Sequence, residues 1–481
     1  MKPNIVFIII DAVRAGNVGC YGYPVNTTPN IDRIAERAVL FENAFSCTNA
    51  TDPSVTSIFS GNLPASHGLV NHGIRVKKQD ISGLRFVPWL PEILRQHGYI
   101  TIGIDWLGRW HTRGFDFYSG IYDMFRYRGD AKRPRRRPAE FFAKRMGFLP
   151  ARARKAMVKI YRKVSRQQKE DVENAEKITN RAIEMIGKNK NQPFFIFLHY
   201  WDTHWALYPP KRFFFGDTEY DRMYGPKIRK YKKFLKNKKL ELTAKAVRSM
   251  GGLENAIRRY DSSIRHVDEQ ISRLFNFLEK EGLLNNMLLI ITADHGDSLI
   301  EHGIFFEHHG LYDVSIKVPL VIYHPSLPNG KRIRAMVQHV DLLPTILELA
   351  EIKNKYPFDG HSLIPLINKK TDKIRDFIII EEAHAQRKIG LRTLNSKYIR
   401  NLNPGQKCRY CGVAHGADKE LYNLNTDPGE ENSIAGKHPE VIKDFDELLS
   451  LEKSRLARRS LKQRLRSVKL IKALEKSKTK R

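Results

Sequence analysis

Three short runs of β-branched and aromatic residues, each ending in a polar side chain, set the terms on which this 481-residue chain can fold. They are Asn4 to Ile10 before Asp11, Phe194 to Leu198 before His199, and Met287 to Thr292 shortly before Asp294. An apolar run without alternation fits a strand buried on both faces, as in the middle of a parallel sheet. Helical spacing is predicted between the runs, over about residues 88–97, 171–187 and 254–280. Strands and helices that alternate in this way predict a doubly wound α/β sheet, whose reactive groups gather beyond the strand carboxyl ends. Asp11, His199 and Asp294 are therefore expected to converge.

After about residue 370 the texture changes. Shorter strands, Phe377 to Glu381 and Lys397 to Arg400, come with turns at Asn403-Pro404-Gly405 and Asp427-Pro428-Gly429. The expected organisation is a large α/β domain over 1–370, a small carboxyl-terminal α+β subdomain over 371–450, and a basic helical tail over 451–481.

A formal net charge of +31 suggests a nucleic-acid binder until its location is examined. Residues 126–166 carry 16 Lys/Arg against 2 acids, residues 227–240 carry 8 against none, and residues 452–481 carry 13 against 2. The rest of the chain is close to neutral, so charge and chemistry are separate questions. Met157, Ile160, Tyr161 and Val164 recur at helical spacing in the first segment, and Leu461, Leu465, Val468 and Ile471 do so in the tail. Such cationic amphipathic helices suit an anionic membrane surface, or they pack on the body of the protein. Nucleic acid ranks behind these, because no base-reading motif occurs.

Four cysteines, Cys20, Cys47, Cys408 and Cys411, are too few for a disulfide framework and point to a reducing compartment. The Ile5 to Ile10 run stops too soon for a membrane span or a signal peptide. A cytoplasmic protein, peripheral at a membrane if its basic helices bind one, is the expectation. Cys408-x-x-Cys411 with His415 has zinc-like spacing at one end only. Two free thiols are expected there unless another ligand arrives from elsewhere.

Asp294-His295-Gly296 sets a carboxylate beside an imidazole, and Asp11 adds a second carboxylate from another strand end. Oxygen and imidazole donors suit one divalent ion, Mn, Zn, Mg or Ca. These residues belong to a longer collinear series: Asp11-x-x-Arg14 with Gly19-Cys20-Tyr21-Gly22; Thr51-Asp52-Pro53-Ser54 through Ser60-Gly61; Leu90-Pro91 through Gly98-Tyr99. Beyond them come Asp294-His295-Gly296 with Glu301-His302-Gly303, Leu311-Tyr312 through Val318-Pro319-Leu320, and Leu421-Tyr422-Asn423-Leu424 with Asp427-Pro428. Over about residues 3 to 435 the chain thus resembles the sulfatase branch of the alkaline phosphatase superfamily.

The resemblance implies an alkaline-phosphatase-like sandwich with a large, mainly parallel sheet and a hydrolase active on phosphate or sulfate esters. It places the nucleophile at Thr51, where sulfatases carry a cysteine or serine that is oxidised to formylglycine. Threonine cannot undergo that oxidation, and Val55 stands where the sulfatase motif has arginine. The family's phosphodiesterases and phospholipid head-group transferases use threonine, which implies phosphoester chemistry on a small-molecule or lipid substrate. Asp11, Thr51, Asp294 and His295 are then the expected metal ligands, with a second metal through Asp202 or His204.

Asp11-Ala12 replaces the family's paired aspartates. Its Gly-Lys-Trp-His segment aligns near Asp105-Trp106-Leu107-Gly108, where neither the lysine nor the histidine is found. His199-Tyr200-Trp201-Asp202-Thr203-His204 resembles the Asp-Pro-His stretch, and His308 stands where sulfatases carry a lysine. The implied roles are proton transfer or phosphate binding by His204 and His308, and substrate contact by His199, Asp202 and His302, with His309 a weaker candidate. The rival readings are a sulfuric ester hydrolase and a catalytically silent scaffold that presents cationic helices to a polyanion or membrane.

Overall fold

The computed structural model describes residues 2–119, 174–204, 209–216, 220–237, 240–353 and 357–478. The basic insertion expected at about 126–170, with its amphipathic positions Met157 to Val164, lies outside them.

Eight strands form the main sheet: β1 (Asn4–Ile10), β2 (Val39–Phe45), β3 (Ile100–Ile104), β4 (Phe117–Ser119), β5 (Phe194–Tyr200), β6 (Met287–Thr292), β7 (Leu320–Tyr323) and β8 (Lys331–Gln338). Their spatial order is β4-β3-β5-β1-β6-β7-β2-β8, and only β7 runs antiparallel to its neighbours. The runs that read as central strands are central. β1 pairs in parallel with β5 on one side and β6 on the other, Ile8 standing opposite Leu198 and Ile291. Every residue of the three strands is buried, which requires cover on both faces and explains why their sequences do not alternate.

One group of helices supplies part of this cover: α2 (Ala175–Asn189) packs on β5, β3 and α3 (Leu253–Lys280). A second group is built around α1 (Thr51–Ser60), every residue of which is buried. Its Phe59 ring lies 4.8 Å from Phe197 and 5.4 Å from Trp89, tying α1 to the sheet.

The carboxyl-terminal region is a four-stranded antiparallel sheet of β9 (Ile378–Glu382), β10 (Lys388–Arg392), β11 (Ser396–Asn401) and β12 (Lys419–Asn423), in the order β12-β11-β10-β9. It docks beside the end of β2, where Glu381 donates its N–H to the Cys47 carbonyl at 3.1 Å. Helix α4 (Pro439–Lys478) follows and runs through residue 451 without a break, with Leu456 fully buried.

The basic stretch 227–240 falls largely in a helix over Tyr220–Tyr231 and a 3-10 turn over Lys232–Lys236. Lys230 pairs with Glu431, and Lys227 lies 3.7 Å from Glu301, so part of its charge faces acids of the protein itself. Among the described residues no helix is long and apolar enough to cross a membrane.

Candidate functional site

Asp11 leaves the carboxyl end of β1 fully buried, and neither of its carboxylate oxygens has a hydrogen-bond partner. The next residue, Ala12, is held at φ 58°, a conformation that L-residues other than Asn and Asp seldom adopt. That twist lets the Ala12 N–H reach Asp294 Oδ1 at 3.1 Å while Asp294 Oδ2 is left unpartnered. His199, at the end of β5, completes the group. Ligand atoms of Asp11, Asp294 and His199 lie within 4.8 Å of one another, all buried.

His199 Nδ1 faces Asp105 Oδ1 at 2.8 Å, and Nε2 lies 3.5 Å from Asp11 Oδ2. Burial alone would depress this imidazole, but its hydrogen bond to Asp105 and the neighbouring Asp11 carboxylate lift it to about 10. Burial would raise the Asp11 carboxyl, yet His199, with His204 and His295 nearby, brings it down to about 2. A carboxylate that fixes one imidazole nitrogen leaves the other free to ligate, an arrangement common behind metal-bound histidines. Asp297 lies in the same acidic cluster; burial, then Glu307, Asp11 and Asp294, push its carboxyl well above the usual range. Unpartnered buried oxygens and an oriented imidazole fit a divalent cation.

Thr51 opens α1, buried, with its Oγ1 3.2 Å from His295 Nε2. His295 Nδ1 lies 3.1 Å from the Gly296 carbonyl, and a carbonyl can only accept. Nδ1 therefore donates there, and Nε2 faces the threonine hydroxyl within hydrogen-bonding distance. The same Nε2 is 3.4 Å from Asp294 Oδ2 and 3.9 Å from Asp11 Oδ1.

Asp52, next in α1, is held well below the usual carboxylate range: burial acts to raise it and is overcome by His72, His111 and Arg109. Arg109 Nη2 grips both of its oxygens, at 2.6 and 2.7 Å. His308 stacks on the His295 ring at 4.4 Å and on His384 at 4.8 Å. Its Nδ1 donates to the Asn49 carbonyl, and burial with four neighbouring histidines keeps the ring neutral.

Several sequence expectations change. His199 is placed with the metal-ligating group rather than as a substrate contact, while His295 faces the nucleophile. Asp202 Oδ1 accepts the Ala175 N–H at 3.1 Å and thereby caps α2, which gives that oxygen a structural role while Oδ2 stays buried without a partner. His302 stacks on Tyr312 with ring centroids 3.6 Å apart, a packing role on the side of the carboxyl-terminal sheet. His308, protonated on Nδ1 toward a carbonyl, offers Nε2 as an acceptor and not as an acid. His204 is close enough to Asp11 to lower its pKa.

The Gly-Lys-Trp-His pattern finds a fuller match three residues beyond 105–108. Gly108-Arg109-Trp110-His111 carries a cation and a histidine in that order, and His111 Nδ1 lies 4.0 Å from Asp52. Asp105 also escaped sequence reading, although it follows the apolar run Ile100 to Ile104 just as Asp11 follows β1.

With this geometry in view, the chain was compared with known proteins. The Sulfatase family profile matches residues 3–352, and the profile described as N-sulphoglucosamine sulphohydrolase, C-terminal, matches residues 300–455. An N-acetylglucosamine-6-O-sulfatase of Bacteroides thetaiotaomicron is 26% identical over 94% of this chain and 85% of its own. An arylsulfatase of Clostridium perfringens is 25% identical over 90% of each. Among solved structures, a protein in complex with its substrate D-glucosamine-2-N,6-O-disulfate is 22% identical with a TM-score of 0.66, over 96% of this chain and 99% of that one. The phosphonate monoester hydrolase of Agrobacterium radiobacter is 18% identical with a TM-score of 0.65, over 95% and 96%. These two structural likenesses speak to the fold.

Proposed function

The chain belongs to the sulfatase family of hydrolases, its profile covering well over half the sequence, and from that premise we propose a metal-assisted phosphoester hydrolase with Thr51 as nucleophile. The observation that carries the reading is the 3.2 Å approach of Thr51 Oγ1 to Nε2 of His295. Threonine cannot be converted to formylglycine, so the hydroxyl itself must attack.

In the proposed course, Oγ1 gives its proton to His295 Nε2 as it bonds to phosphorus, and the ester oxygen departs as the alcohol after taking a proton from solvent or His204. Water, its proton accepted by His308 Nε2, then displaces the phosphate from Thr51 while His295 returns a proton to Oγ1; an acceptor alcohol in place of water would make the reaction a transfer. Asp11, Asp294 and His199 would hold a divalent ion, with Asp105 orienting His199. Such an ion supplies charge neutralisation for the phosphoryl oxygens and lowers the pKa of hydroxyls near it.

A second reading, hydrolysis of a sulfate ester, is favoured by the names of the relatives and by the Arg109 and His111 pair that faces Asp52, the residue after Thr51. The two separate in one assay of metal-supplemented protein on p-nitrophenyl sulfate, p-nitrophenyl phosphate and bis-p-nitrophenyl phosphate, with Thr51→Ala alongside. Cleavage of phosphate esters, lost by at least about a thousandfold in the variant, supports the phosphoester reading. Cleavage of sulfate alone supports the second, and full activity of Thr51→Ala removes threonine from both.

A further inference from the structure

We propose that Cys408, Cys411, His415 and His309 form a structural zinc site that pins the carboxyl-terminal sheet to the wall of the active site. Cys408-Arg409-Tyr410-Cys411-Gly412 folds as a tight knuckle. The Cys408 N–H reaches the Val413 carbonyl at 2.7 Å, the Gly412 N–H returns to the Cys408 carbonyl at 2.9 Å, and Gly412 sits at φ 71°. The Tyr410 N–H points at Cys408 Sγ from 3.4 Å, a contact that favours the thiolate. His415 follows, its Nε2 3.0 Å from Cys411 Sγ.

The ligand missing from the local sequence is supplied by a distant segment. His309 Nδ1 lies 3.6 Å from Cys408 Sγ, and ligand atoms of His309, Cys408 and His415 fall within 4.8 Å of one another. Zinc bonds of about 2.3 Å to sulfur and about 2.0 Å to nitrogen place tetrahedral ligands about 3.3 to 3.8 Å apart; His309 and Cys408, at 3.6 Å, already stand at that distance, and Cys411 and His415, at 3.0 Å, lie slightly inside it. All four residues are buried, and both cysteines are free thiols. The remaining nitrogen of His309 has a carboxylate 3.5 Å away, Glu307 Oε2, of the kind that orients a ligating imidazole. Two thiolates and two neutral imidazoles balance one Zn²⁺, and binding releases the two thiol protons.

His309 adjoins His308, which stacks on His295, and Tyr410 of the knuckle stacks on His309 at 4.9 Å. Asn237 adds a third segment through its hydrogen bond to the Cys411 carbonyl at 3.0 Å. The ion would therefore fix the segment that presents His308, without belonging to the Asp11 group.

Full-length Asp11→Asn protein, disabled at that first group, is reconstituted with zinc or with cobalt. The expected results are one tightly held zinc per chain, thiolate-to-cobalt charge-transfer absorption that oxygen and nitrogen ligands cannot give, and loss of both on adding Cys408→Ser and Cys411→Ser. If those substitutions prevent folding, alkylation of the two thiols in the otherwise unaltered protein gives the answer: zinc should slow it at least about tenfold relative to chelator-treated protein. Substoichiometric zinc without the cobalt band, or alkylation indifferent to zinc, overturns the proposal.

Discussion

Asp11 and Asp294 are buried with three of their four carboxylate oxygens unpartnered, whereas Asp313, Glu420 and Glu430, at the junction with the carboxyl-terminal sheet, each meet a cation of the chain. Lys397 Nζ lies 2.6 Å from Glu430, Arg392 Nη2 is 2.9 Å from Asp313, and Lys388 Nζ is 3.2 Å from Glu420. Three acids and three bases neutralise one another there. Near Asp11 the acids outnumber the imidazoles that face them. Burying charge is tolerated when its partner is at hand, so the first cluster calls for a cation from outside and the second is complete as folded.

The most forceful way to break this contrast is Asp11→Asn. Turnover should fall at least about a thousandfold, equivalent to about 4 kcal/mol, together with metal content. The chelator-treated variant should melt no lower than the chelated parent, because a buried charge without a partner has been removed. Melting that falls sharply in calorimetry would mean that Asp11 is compensated by the chain after all.

The complementary test is Lys397→Met, which strands Glu430 and leaves Asp313 with Arg392 alone. It should lose about 3–5 kcal/mol in urea unfolding while metal content holds, and adding Asp313→Asn should recover part of the loss. If the single variant is as stable as the parent, the second cluster is not held together by its ion pairs.

Acid sharpens the contrast with a third kind of buried group, one kept neutral. His67 accepts the Leu69 N–H on Nδ1 at 3.1 Å and bonds Ser57 through Nε2 at 3.0 Å; burial lowers it to about 3. Its folded value lies below its unfolded one, so the unfolded chain binds the extra proton. The associated stability is present above about pH 6.5 and is lost as pH falls toward 3, about 2 to 3 kcal/mol by pH 4.5. His67→Gln should flatten the pH dependence of unfolding in that window; an unchanged slope would show that His67 is not neutral in the fold.

The smallest expected effect concerns Asp202, which holds a helix end rather than a cluster. Asp202→Ala should cost about 1 kcal/mol of stability with kcat unchanged. A fall in kcat or a rise in KM would return Asp202 to substrate binding.

What could be read from the sequence was whatever depends on neighbours along the chain. β1, β5 and β6 were legible because burial on both faces forces an unbroken apolar run, and Asp11, His199 and Asp294 were legible because each follows one. Thr51 stood out at the start of a helix within a family motif. The direction of a side chain after it leaves its element is set by distant residues, and there the reading failed. Asp202 turns to α2 and His302 to Tyr312, and His295 faces Thr51 as well as Asp11 and Asp294. His309 stands 99 positions from Cys408, and no local spacing connects them. Arg109 was missed for a different reason, since a conserved-looking tryptophan at 106 captured the register that belongs to Trp110.

β1 precedes both of its hydrogen-bonding partners in the chain, which begin at Phe194 and Met287. At about 5–20 residues per second, synthesis needs about 15 to 60 s to deliver the second of them. Until the first arrives, β1 has two open edges, and until the second arrives it has one. Its seven residues are thus a stretch that nascent-chain shielding must cover, and the site at its end cannot assemble until Asp294 has been made.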